Sequence, residues 1–307
     1  MKPQHFFHLA KKSVAAWSDD YASSMGAAIA YYTVFSIAPL LIIVISVAGL
    51  VWGREAVQGE IVAQLSGLIG HDGAVGVQAI VESANRPTEG LIASAISVVV
   101  LVIGATTVFA ELQSALDRIW RSPAAAESSG IWNTLRSRML SFGLVLGLAF
   151  LLSASLVISA AVAALGRWGS GFFPAWEVLL LLINTVISVG ITTLLFAMIY
   201  KFMPRAKVAW RDVWVGAFVT SIMFEIGKFL ISLYVGKSSV TSSFAAAGSV
   251  VVLLIWVYYA AQVFLLGAEF TWVYASDHGS MSGRPKEAPP VIPQRSHPAP
   301  VEPTRVG

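Results

Sequence analysis

Cysteine does not occur among the 307 residues. Its absence removes disulfides, thiolate metal sites, cysteine nucleophiles and thiol redox chemistry at once. It leaves the compartment open, because loops on either side of a membrane can do without it. Charge is nearly as scarce. Asp, Glu, Lys and Arg supply 12% of the chain and hydrophobic residues 56%, where a soluble domain is about a quarter charged. Mean hydropathy is +0.74, and the chain is read as an integral membrane protein. Several chemistries are missing too. There is no Walker loop, GxGxxG fingerprint, HExxH or GxSxG. His5, His8, His71, His278 and His297 lie outside the apolar runs. His5 and His8 are one turn apart but have no carboxylate nearby in sequence to complete a metal site. No metal and no cofactor are expected. The carboxylates of the soluble segments are too scattered to hold catalytic ions, and no aromatic-rich RNA-binding module accompanies the arginines. Neither an enzyme nor a nucleic-acid partner is expected.

What the chain has in quantity is uncharged length. A helix needs about 20 apolar residues to cross the hydrocarbon core. Residues 21–53, 91–110, 139–166, 178–200 and 238–268 carry no charge, and 213–236 are as apolar but contain Glu225 and Lys228. Six spans follow, at about 32–52, 91–111, 140–165, 178–200, 213–236 and 248–273. The first apolar run is too long and starts too late for a cleaved signal peptide. Of the 20 Lys and Arg residues, 15 fall in the N-terminal segment, the second and fourth loops and the tail. Only Arg54, Arg86, Arg167 and Lys237 occupy the alternate loops. The positive-inside rule then places both termini in the cytoplasm.

The fold class expected is an all-α membrane protein in three parts. Residues 1–24 form an N-terminal interfacial helix, 25–276 the six-helix domain, and 277–307 a disordered cytoplasmic tail holding seven of the 13 prolines. In the first part Phe6, Ala10, Val14, Trp17 and Tyr21 recur at helical spacing with Lys11 and Lys12 off that face, which suits a helix lying apolar side down on anionic headgroups. Pro39 is expected to kink the first span. Residues 53–90 make the long external loop, where Val57, Ile61, Leu65 and Leu68 predict a helix packed back on the bundle or membrane. LQSALDRIW continues the second span until Ser122-Pro123 stops it. In the third span, Gly143 and Gly147 form a GxxxG match that permits close helix approach. Packing within the monomer and an oligomer through these glycines both satisfy it.

The charged span raises the sharpest question. Ser221, Glu225, Lys228 and Ser232 fall at i, i+4, i+7 and i+11, one stripe of a helix, with Ile222, Phe229 and Leu233 opposite. A charge at mid-membrane costs about 2.5–3.5 kcal/mol on insertion scales. Pairing of Glu225 with Lys228 recovers part of this, and the stripe must still face protein or water. Candidate neighbours are Tyr258, Tyr259 and Gln262 in the sixth span and Asn184, Ser188 and Thr192 in the fourth. Glu111 and Glu269 fall at similar depth and form a cytoplasmic-side polar cluster. Two readings stand. The stripe lines a water-filled path for an amphiphile, ion or proton, or it is a buried pair that fixes helix register. Polar contacts between membrane helices are worth about 0.6 kcal/mol on average, a weak return on placing charges there, so the path is preferred.

AAIAYYTVFSIAPLLI (27–42), ELQSALDRIW (111–120) and IWVYYAAQVFLLGAEFTWVY (255–274) resemble the YihY/BrkB family of bacterial inner-membrane proteins over residues 5–276. The resemblance implies six membrane helices, the inner membrane, and an association with the cell envelope and virulence. It also brings the label of a tRNA-processing ribonuclease, ribonuclease BN, for which these residues offer no site. It supplies no catalytic residues. The expected function is translocation or export of a lipid-like or other charged amphiphile through a polar groove around the fifth span. Glu225 and Lys228 would bind a charged group or relay a proton, with Ser221, Ser232, Tyr259 and Gln262 as neighbours. The alternative is a non-transporting scaffold for envelope assembly. Membrane lipids are the expected partners, with other envelope proteins in the scaffold case.

Overall fold

The computed structural model describes residues 3–84, 103, 107–122, 176–237 and 245–282. Among them there is no strand. The helices are α1 (Pro3–Asp19), α2 (Ala22–Trp52), α3 (Arg54–Ala84), α4 (residues 107–119), α5 (Trp176–Phe202), α6 (Trp210–Lys237) and α7 (Ala245–Asp277). Three carry stretches long and apolar enough to cross a membrane: Thr185–Phe202, Trp210–Leu230 and Leu253–Asp277. Helix α2 makes a fourth if its two halves count as one span. Of the six expected spans, the third lies outside the described residues, as do Gly143 and Gly147. The second is described only at 103 and 107–111.

Helix ends follow local chemistry. Asp20 N donates to Ala16 O, and Tyr21 then takes a left-handed backbone, φ 55°, that separates α1 from α2. The helical spacing read from Phe6 to Tyr21 therefore stops two residues short, at Asp19. Gly53, φ 84°, joins α2 to α3 in a conformation that glycine alone adopts cheaply. Helix α2 bends by 44° between Ala22–Ala38 and Leu40–Ser46, at the position where proline, which lacks a backbone donor, is expected to kink a helix.

Helix α3 occupies the expected external loop and folds back on itself. Gln58, Ile61 and Leu65 share one small pocket with Val77, Val81 and Glu82, whereas a straight helix would hold residues 58 and 82 about 36 Å apart. Val57, Ile61 and Leu65 pack with Val77 and Val81 against Ala38 and Ile45 of α2 and Leu253 and Val257 of α7. The side chain of Leu68 lies outside the described residues.

A larger core joins Leu9 and Ala16 of α1, Leu116 and Ile119 of α4, Phe196 and Tyr200 of α5, Val213 and Ala217 of α6 and Phe264, Leu265 and Ala268 of α7. Helix α7 is central and packs on α1, α2, α3 and α6. Missing side chains set the separation of α6 and α7. A Cβ on Gly216 would collide with Thr271, on Gly227 with Tyr259, and on Gly267 with Thr220.

Helix α1 has two working faces. Leu9, Ser13, Ala16 and Asp20 are buried, and α1 packs mainly on α7. Phe6, Phe7 and Val14 are exposed. His5 meets His278, Lys12 pairs with Asp277 at 2.6 Å, and Phe6 contacts Phe270. Beyond α7, the first residues assigned to the tail turn back on the bundle: Ser280 donates through N and Oγ to Oδ2 of buried Asp212, at 3.0 and 2.6 Å. Residues 283–307 lie outside the described set.

Candidate functional site

The stripe on α6 is satisfied from α5. Helices α5 and α6 pack antiparallel through a short ladder of hydroxyls and charges. Thr193 Oγ1 and Ser221 Oγ lie 2.7 Å apart, and both are buried. Each also lies within hydrogen-bond reach of a carbonyl of its own helix, Thr193 of Val189 O and Ser221 of Phe218 O, so one hydroxyl donates across the seam and the other to its own helix, the usual way a hydroxyl is tolerated in an apolar helix. One turn further, Ser188 donates to Glu225 Oε1 at 3.2 Å and Lys228 Nζ donates to the same oxygen at 2.7 Å. Lys228 also sits over the Phe224 ring, 5.8 Å from its centroid.

Burial changes along this ladder. Ser221 is fully buried, while the Glu225 and Lys228 side chains keep 25% and 27% exposure. The seam is therefore closed toward Ser221 and opens at the ion pair. Of the expected α5 partners, Ser188 meets Glu225, Thr193 rather than Thr192 meets Ser221, and the side chain of Asn184 lies outside the described residues. The same holds for the side chain of Ser232, whose backbone continues α6.

Two expected neighbours face elsewhere. Gln262 donates to Ser23 O of α2 at 3.3 Å and lies against Gly26, so it belongs to the α2–α7 contact. Tyr259 rests on Gly227, its hydroxyl 3.5 Å from Met223 O. Met223 and Gly227 lie on the side of α6 turned away from the stripe, so neither residue from α7 lines it. Glu269 is fully buried in α7, and Glu111 on α4 is half-buried.

An apolar groove runs beside the ladder. Val186, Val189 and Thr193 of α5 and Trp214, Phe218 and Ile222 of α6 line it, and it encloses about 540 Å³, within the range of ligand-holding clefts. Ile222 and Phe218 are exposed. Counting along α6 from Ile222, Glu225 comes one turn later, so the groove reaches the level of the ion pair.

A second charged site was missed in the sequence. Asp20 and Arg121 pair at 2.8 Å with only 1% and 10% of their side chains exposed. The Arg121 guanidinium also lies over the Trp272 ring at 5.7 Å, and Arg118 over Tyr21 at 5.9 Å. This clamp binds the α1–α2 elbow to the end of α4, where Arg121 is left-handed, φ 50°, and Ser122 N closes on Asp117 O. The Trp17 and Trp120 indole N–H groups, Asp20 Oδ2, Arg121 Nε and Ser122 Oγ are buried there without a hydrogen-bond partner among the described residues. The available signal was the polar pair at each end of a helix, Asp19-Asp20 before the first apolar run and Arg118 with Arg121 after the second. Nothing in the spacing joins them. Among the described residues no cluster of three or more His, Asp or Glu could hold a metal ion.

Membrane-length helices with a charged pair inside one of them define an all-helical membrane protein. The chain belongs to the BrkB family: the family described as Virulence factor BrkB matches residues 13–290. It is similar to UPF0761 membrane proteins of Cronobacter sakazakii, 31% identical over 58% of each chain, and of Alteromonas mediterranea, 30% identical over 58% of each chain. It is also similar to the UPF0761 membrane protein YihY of Escherichia coli, 32% identical over 56% of each chain. The chain thus spans a little over half the length of these curated relatives. No solved structure matches.

Proposed function

We infer that the protein is a multi-pass protein of the bacterial inner membrane, with six spans and both termini in the cytoplasm. In this reading α1 lies in the cytoplasmic interface with Phe6, Phe7 and Val14 toward lipid. The protein moves a lipid-like or otherwise charged amphiphile along the α5–α6 seam. The observation that carries this is the apolar groove ending beside a partly exposed ion pair within a membrane-length helix. A tail needs apolar walls and a head needs charge, and the seam offers both at adjoining turns. Charges at this depth are costly, and Ser188 and Lys228 leave them accessible instead of burying them. The reading assigns no reaction, cofactor or nucleic acid to the chain.

Single cysteines at Glu225, Lys228, Ser221 and Ser232, with Ile222 and Phe229 as controls, test the path. A charged, membrane-impermeant thiol reagent should label positions 225 and 228 in intact membranes and leave 222 and 229 unmodified. Variants that insert normally but stay unlabelled at 225, 228 and 232 would end the translocation reading. One observation favours the scaffold instead: Ser221 is fully buried and three glycines hold α6 tightly on α7, as a static bundle requires. Complete protection of the stripe would be its signature.

A further inference from the structure

The face of α6 that borders the groove continues past it toward the α5–α6 loop. Arg211, Trp214, Phe218 and Ile222 fall at i, i+3, i+7 and i+11, a single line on the helix. Trp214, Phe218 and Ile222 line the groove, so Arg211 stands at its mouth. The mouth is built like a headgroup region. Trp210 contacts Phe202 and Trp214, and Lys201 lies over the Trp210 ring while donating to Val208 O. Aromatic rings of this kind collect at the membrane–water interface. Arg205 is engaged by Asp117 at 3.6 Å. Arg211 and Lys207 are exposed and have no ion-pair partner among the described residues.

The groove also has a matching length. The pairings of Thr193 with Ser221 and Ser188 with Glu225 put Thr185, at its far end, level with about residue 228 of α6. From Trp214 that is about 20 Å of helix, on the order of the depth of one leaflet in a hydrocarbon core about 30 Å thick.

We propose that this groove seats one acyl chain of an anionic phospholipid of the bilayer, with its phosphate held at Arg211 and Lys207. Arginine and lysine offer the phosphate charge-assisted donors, and each basic residue near an anionic surface favours negatively charged lipid. In this bound pose the headgroup rests at the mouth, the chain lies along Phe218 and Val189 with its methyl end at the Glu225–Lys228 level, and the headgroup meets the ion pair only on passage along the seam. This rests on the seam proposed above and names its substrate class, but occupancy of the groove and passage along the seam are separately measurable.

Gly190 makes the test clean. It lines the groove, and a Cβ there meets no atom within 4 Å, so Gly190→Leu puts a side chain into the groove from a position that admits a Cβ, and an unchanged melting temperature checks that the bundle is intact. The full chain would be reconstituted in vesicles containing phosphatidylglycerol with a diazirine on one acyl chain, and separately phosphatidylethanolamine with the same probe. After illumination, crosslinks should map to α5 and α6 peptides lining the groove and favour phosphatidylglycerol. Gly190→Leu should remove them with both lipids. Arg211→Gln should lower the phosphatidylglycerol yield by about tenfold, the loss of one charge-assisted contact, and bring the two lipids close to parity. Crosslinks spread over all exposed apolar helix faces, or unchanged in Gly190→Leu, would overturn the site. Equal labelling by both lipids in the unaltered protein would overturn the anionic preference. If the lipid site holds while cysteines at 225 and 228 stay unlabelled, the groove is a lipid-binding site and only the translocation reading fails. Labelled cysteines without groove crosslinks sink the lipid and spare the path.

Discussion

Arg121→Gln is expected to destabilise the protein by about 3–5 kcal/mol, because it leaves a buried carboxylate with no opposite charge. Asp20 loses its ion-pair partner while its side chain is 1% exposed, and water cannot take over the vacated position without opening the α1–α2 elbow. The Trp272 ring loses its cation as well. Asp20→Asn should cost a similar amount from the other side, stranding the guanidinium. The double variant Asp20→Asn with Arg121→Gln should recover much of the loss, since a neutral amide pair carries a far smaller desolvation penalty. Thermal unfolding of purified protein in detergent, run as a double-mutant cycle, measures this directly. Additive single losses, or losses below about 1 kcal/mol, would mean that the pair is solvated and the clamp is no clamp.

Gly227→Val and Gly216→Val should be nearly as damaging. At both positions any Cβ collides with a side chain of α7, Tyr259 in the first case and Thr271 in the second. Overpacking of this kind costs about 1–3 kcal/mol and sometimes more. Thr271 does not retreat easily. Thr271 is buried and bonded to Gly267 O at 2.7 Å, and α7 is itself held by α1, α2 and α3 on its other sides. The expected outcome is loss of a monodisperse peak in size exclusion, or a melting temperature lowered by several degrees. Gly227→Ala combined with Tyr259→Ala should restore most of it, while Gly59→Ala, where a Cβ meets nothing, should be close to neutral. A Gly227→Val protein that melts like the parent would show that α6 and α7 are not packed this closely.

The spans of α2, α5, α6 and α7 were legible because uncharged runs of membrane length admit few alternatives. The Glu225–Lys228 contact was legible for the same local reason: three residues apart on a helix, two opposite charges meet. Tertiary facing was not. Helix α7 packs on α1, α2, α3 and α6 and accepts a hydrogen bond from Tyr200 of α5, so its polar residues fan out to different neighbours, and depth alone assigned Gln262 to α6 when it serves α2. The α1 face of Leu9, Ser13, Ala16 and Asp20 was hidden behind a louder aromatic pattern, Phe6, Val14 and Tyr21, which faces outward. The Asp20–Arg121 clamp joins residues 101 apart, and no periodicity carries that far. The turn at His278–Ser282 was hidden by the proline-rich composition that begins just after it.

The fastening of α1 to the end of α7 constrains how many times the chain crosses the bilayer. His5 meets His278 and Lys12 pairs with Asp277, polar contacts that form only if both helix ends stand on the same side. A path that starts and finishes on one side of a sheet pierces it an even number of times. In the placement proposed above, with both ends at the cytoplasmic face, the crossings between Asp19 and Asp277 come in pairs, each outward passage matched by a return.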